Sequence, residues 1–122
     1  MKKKKGIGLR FAAWGWWHSL SNERNMRIHA TAAVAAVAVG AYAGLERDEW
    51  LWVALSIALV MSAECVNTGM ERVVDLVVGT RREPLAKAAK DTAAAAVLVM
   101  AAFALVVAGL VLVPAVWERL IG

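Results

Sequence analysis

Apolar residues in this chain are gathered into three long runs, and the charges stand at their ends. The first run, Ile28 to Leu45, is almost wholly alanine, valine and glycine and stops at the acidic turn Glu46-Arg47-Asp48-Glu49. The second starts at Trp50 and reaches about residue 71; its one interior ionisable group is Glu64, and Glu71 and Arg72 close it. The third runs from Thr92 to Trp117, where Pro114, Trp117 and Glu118-Arg119 mark its end. A hydrocarbon layer about 30 Å thick takes roughly 20 helical residues, so each run is long enough to cross it. The pattern predicts an all-α membrane protein with three transmembrane helices, over 28–45, 50–71 and 92–117.

Ahead of the first span, Ile7 to Asn22 mixes Phe11, Trp14, Trp16, Trp17 and Leu20 with Arg10, His18 and Ser21. It is too short and too polar to span, and reads as an N-terminal amphipathic surface helix within a segment that continues to about residue 27. All six tryptophans fall at expected boundaries, where an indole buries its ring and keeps its N–H wet. Pro84 suits a first helical position and starts the third helix after the loop centred on Gly79-Thr80-Arg81-Arg82. The segments form one domain, with no internal repeat.

Composition agrees with the pattern. The chain has 122 residues, 61% of them hydrophobic, and a mean hydropathy of +0.58 beside 20% charged residues. The net charge of +4 would admit nucleic acid, but seven of fourteen basic residues lie in positions 1–27, beside a membrane entry, where anionic headgroups are the better match. Five more lie in 72–90, one in 46–49 and one at the C-terminus. Basic loops stay on the cytoplasmic side, so the N-terminus is expected inside and the C-terminus outside. The lysine run Lys2 to Lys5 has the look of a signal-peptide n-region, but the tryptophan-rich stretch after it is not a cleavable signal. Cys65 has no second cysteine to pair with and reads as a small packing residue.

Chemistry is concentrated on the second helix. At 100° per residue, Glu64, Asn67, Glu71 and Asp75 fall within an arc of about 80°. Stacked carboxylates repel, so this stripe needs a metal ion or basic partners. Glu64 lies within the apolar run, where an ionisable group is a functional candidate by default and a carboxylate can serve as a general base. Lys87, Lys90 and Asp91 open the third helix, Arg81 and Arg82 precede it, and Glu23 with Arg24 and Arg27 precedes the first. Folding three helices together would bring Glu23, Glu71, Asp75, Lys90 and Asp91 to one boundary. Carboxylates with a lysine suit magnesium and phosphate. There is no P-loop, dinucleotide-binding, zinc or nucleophile-elbow motif. His18 and His29 read as interfacial or packing residues rather than ligands.

The segments ERNMRIH (23–29), ECVNTGMERVVD (64–75) and PLAKAAKD (84–91) resemble the prokaryotic diacylglycerol kinase family, which includes undecaprenol kinases. The resemblance covers nearly the whole chain. It implies a homotrimer in the bacterial inner membrane, with shared sites that transfer the γ-phosphate of ATP to a lipid hydroxyl. It implies Glu64 as general base and Asn67 as its polar support. Glu23 and Glu71 would hold the nucleotide-bound Mg²⁺, and both would also contact the nucleotide. Lys90 and Asp91 would bind the nucleotide, with Asp75, Arg81, Arg82 and Glu83 nearby. The first and third segments look closer to the undecaprenol branch than to the diacylglycerol branch. Gly69 and Met70 depart from the alanine and isoleucine usual there. A different class remains open, a non-enzymatic scaffold or small transporter in which Glu64 pairs helices or carries protons; a divalent-cation transporter ranks last, for want of a polar path in the other spans.

Overall fold

The computed structural model describes residues 8–122. The lysine run and Ile7, where the surface helix is expected to begin, lie outside the described residues. Among the described residues five α-helices follow one another: α1 (Leu9–Asn22), α2 (Arg24–Ala43), α3 (Arg47–Val78), α4 (Pro84–Val107) and α5 (Val113–Ile121). A π-helical stretch, Ala108–Leu112, joins α4 to α5 without a break in the helix. Three helical stretches are long and apolar enough to cross a membrane: Arg24–Ala43, Arg47–Val78 and Pro84–Ile121.

The helices extend beyond the expected spans, because helical hydrogen bonding does not stop where hydrophobicity does. The first span helix begins at Arg24 rather than Ile28, so residues 24–27 belong to it and not to the surface segment. Glu23 is the break, with extended backbone at φ −110° and ψ 118°. Its N–H closes α1 on the Ser19 carbonyl at 2.8 Å, and Arg27 Nη1 donates to the Leu20 and Ser21 carbonyls at 3.2 and 3.0 Å. The first turn of α2 thereby satisfies the open carbonyl end of α1. At 32 residues α3 is roughly 48 Å long, which carries Glu71 to Val78 past a 30 Å hydrocarbon layer. The second loop shrinks to the residues between Val78 and Pro84.

The α2–α3 hairpin turns on Gly44, whose φ of +70° is left-handed backbone. A reciprocal capping box at Glu46 and Glu49 starts α3, with the Glu46 N–H donating to Glu49 Oε1 at 3.1 Å. Gly40 lets the arms close: a Cβ there would stand 2.8 Å from Trp50 Cη2 and 2.9 Å from Leu45 Cδ1. Near the far end of the third span helix, Pro114 can donate no N–H, and the π turn just ahead absorbs the mismatch, with the Val113 N–H reaching back to Ala108 O.

Burial is inverted relative to a water-soluble domain. The buried residues of α3 include Ser56, Glu64, Asn67 and Thr68, whereas Leu76, Leu98, Leu105 and Leu110 face outward. In a bilayer the apolar exterior costs nothing, and polar side chains turn toward the other helices. Leu9, Phe11, Trp14 and Trp17 of α1 are all well exposed, as an interfacial helix requires.

Candidate active site

Glu64 is placed by the α3 periodicity against the start of α2. Its carboxylate is 2% exposed, and His29 Nε2 stands 3.5 Å from Oε2. Asn67 lies on the next turn and donates from Nδ2 to Glu71 Oε1 at 3.3 Å; its Oδ1 and the Thr68 hydroxyl are buried without a partner among the described residues. Glu23, at the break before α2, is held to α3 by Arg72, the residue after Glu71. The structure thus gathers Glu64, Asn67, Glu71 and Glu23 where α1, α2 and α3 meet.

Arg72 crosses that junction. Its Nη2 donates to Glu23 Oε1 at 2.7 Å, and its Nη1 bonds to His18 Nε2. His18 in turn stacks on Trp14, with ring centroids 4.8 Å apart. One guanidinium therefore ties the surface helix and the break at Glu23 to α3.

Asp75, Lys90 and Asp91 fall into a second group, between α3 and α4. Lys90 Nζ lies 2.5 Å from Asp75 Oδ1, and Lys87 Nζ is 2.5 Å from Asp91 Oδ2. Around them opens a cavity of about 520 Å³, lined by Asp75, Arg81, Arg82, Glu83, Lys90 and Asp91 together with the loop backbone and Lys87. Arg81 is partly committed, since its guanidinium donates to the Val77 and Val78 carbonyls and closes α3. Arg82 has no ion-pair partner among the described residues. Four cationic side chains, Arg81, Arg82, Lys87 and Lys90, line this cavity beside the carboxylates of Asp75, Glu83 and Asp91.

The single boundary site expected from the sequence is therefore two groups within one chain, joined by the turn of α3 between Glu71 and Asp75. Among the described residues no three His, Cys, Asp or Glu side chains form a metal cluster. Glu23 is bonded by Arg72, the residue after Glu71, and two carboxylates are a normal protein share for a Mg²⁺ whose other oxygens come from phosphate and water.

A third feature lies deeper. An apolar cavity of about 290 Å³ runs between α2, α3 and the third span helix, floored by alanines such as Ala32, Ala33, Ala101 and Ala104, with His29 on its wall.

The sequence reading made His29 an interfacial or packing residue and gave Arg72 no role beyond closing the second apolar run. His29 could have been found as an ionisable group entering the first apolar run, at a depth that brings it toward Glu64. Arg72 carries no such signal, because its value depends on where α1 folds back.

The family model "prokaryotic diacylglycerol kinase" matches residues 10–112. A protein of Synechocystis sp. named diacylglycerol kinase is 41% identical over 108 residues, 88% of this chain and 62% of that protein. One from Bacillus subtilis named undecaprenol kinase is 40% identical over 100 residues, 82% of this chain and 80% of that protein. The chain thus spans under two thirds of the length of the first and four fifths of the second. The matched region contains every residue of the candidate site.

Proposed function

The chain belongs to the prokaryotic diacylglycerol kinase family, and from that premise we propose that it is a membrane lipid kinase, transferring the γ-phosphoryl group of ATP to the hydroxyl of a lipid alcohol. The observation that carries the reading is the division of α3 by depth. Glu64 is buried within the span beside an apolar cavity, and Asp75 faces a cationic cavity about three turns nearer the water. A lipid hydroxyl comes from the first side and a nucleotide from the second.

In this reading Glu64 accepts the hydroxyl proton as the lipid oxygen attacks the γ-phosphorus, and Asn67 holds the neighbouring carboxylate of Glu71 in place. Lys90, Arg82 and Lys87 take the phosphate charge, with Arg81, Glu83, Asp75 and Asp91 shaping the cavity. Glu23 and Glu71 would hold Mg²⁺, which when bound supplies charge neutralisation on the phosphates. Phosphoryl transfer demands alignment and charge compensation rather than a covalent enzyme intermediate, so this residue set suffices without a P-loop.

Undecaprenol is the preferred acceptor, and diacylglycerol, giving phosphatidic acid, is the alternative. The two relatives are equally similar, so the preference rests on the 23–29 and 84–91 segments. The split of the site into an α1–α2–α3 group and an α3–α4 group supports a homotrimer in which neighbouring copies complete each other's sites. The basic loops support a bacterial inner-membrane location with the N-terminus cytoplasmic. The His29–Glu64 contact is the observation that favours the scaffold or transporter reading, because it gives Glu64 a helix-pairing role.

The test is purified protein in detergent with labelled ATP and each lipid alcohol, Glu64→Gln serving as blank. Phosphorylation of undecaprenol above diacylglycerol is the expected result. Equal turnover refutes the choice of acceptor, and no turnover on either refutes the kinase.

A further inference from the structure

Two observations meet at His29. Its Nε2 is 3.5 Å from Glu64 Oε2, and its ring forms part of the wall of the apolar cavity. His29 lines that cavity, whereas Asn67, Glu71 and Glu23 do not. The other polar side chain on the wall, Ser56, is already spent: its hydroxyl donates to the Val53 carbonyl at 2.8 Å. The ring is therefore the polar edge of an otherwise apolar space, and it touches the carboxylate that must act there.

A carboxylate offers two oxygens, and a positioned base needs one held and the other free. We propose that His29 is the positioning residue of the lipid half of this site. Its Nε2–H donates to Glu64 Oε2, which fixes the carboxylate plane and leaves Oε1 for the lipid hydroxyl at the cavity edge. The inference rests on the lipid-kinase reading above. In the step itself the lipid O–H bond breaks and its proton passes to Glu64 Oε1. The lipid oxygen–phosphorus bond forms, and the bond from phosphorus to the leaving ADP oxygen breaks. His29 keeps its proton throughout. The ring also sorts the substrate, with the apolar chain in the alanine-lined space and the hydroxyl end against His29 and Glu64.

The experiment compares wild type, His29→Gln and His29→Leu in detergent, with separate titrations of lipid and ATP and with helical content and melting followed by circular dichroism. Gln keeps an N–H of similar reach, whereas Leu fills the volume and donates nothing. The expected result is a kcat about ten- to a hundredfold lower in His29→Leu, since a misplaced reacting group costs that much. The KM for ATP stays within about twofold, and His29→Gln regains most of the lost rate. If His29→Leu does not fold, His29→Asn takes its place: its amide is too short to reach Glu64, and the same loss is expected. Undiminished kcat without the donor, or equal losses in Gln and Leu, overturns the role of His29 while the wild-type rate leaves the kinase reading standing. Absence of lipid phosphorylation by the wild type overturns that reading first, and this one with it.

Discussion

Glu64→Gln should separate chemistry from stability, because the two readings of Glu64 move them in opposite ways. The substitution is nearly isosteric at a site only 2% exposed, so it opens no cavity and forces no repacking. It removes the proton acceptor. Losing a positioned general base costs about 10²- to 10⁴-fold in kcat, or roughly 2.7 to 5.4 kcal/mol on the barrier. The balance for folding is different. Glu64 stands 3.5 Å from His29, which attracts it when protonated, so neutralising it removes that one attraction. It also removes the cost of keeping a charge in a dry place. Against that gain stands the His29 contact at 3.5 Å, worth about 1 kcal/mol at most. The melting midpoint in detergent should therefore hold or rise while lipid phosphorylation collapses. The assay pairs single-turnover transfer from labelled ATP with thermal melting of the same preparation. An unchanged rate with a fall in melting temperature would refute the reasoning and make Glu64 a strut between α2 and α3.

Lys90→Met keeps the length of the side chain and deletes its charge from the cationic cavity; on the proposed kinase reading the KM for ATP should rise about tenfold or more, with the KM for lipid unchanged, as read by separate substrate titrations. Arg81 and Arg82 should divide their effects. Arg81→Ala lowers thermal stability by about 1 kcal/mol through loss of its bonds to the end of α3, whereas Arg82→Ala leaves melting unchanged and weakens ATP binding, measured by nucleotide titration. Gly40→Val puts carbon within 3 Å of both Trp50 and Leu45 and should destabilise the α2–α3 hairpin by about 1–3 kcal/mol, seen as a lower melting temperature with the cationic cavity intact.

Much of this protein was legible before it was folded. Three apolar runs specify three spans because the bilayer leaves the backbone no other way to satisfy itself than a helix. The helical period alone puts Glu64, Asn67, Glu71 and Asp75 on one stripe, since that relation depends only on rise and turn. The charged residues lining the cationic cavity were visible as charges on either side of Pro84. Helix ends were read short, at residue 28 instead of 24 and at 71 instead of 78, because hydropathy marks where the membrane ends and not where hydrogen bonding ends.

Only the tertiary structure decided how the stripe is shared. Glu64 turns to His29 on α2, Asp75 turns to Lys90 on α4, and Glu23 is taken up by Arg72 across the break before α2. Each pair joins residues 15 to 49 positions apart, and its distance depends on how the helices pack, which no local pattern encodes. The chain's order of letters settles which residues can act; the packing of one helix on another settles which of them meet.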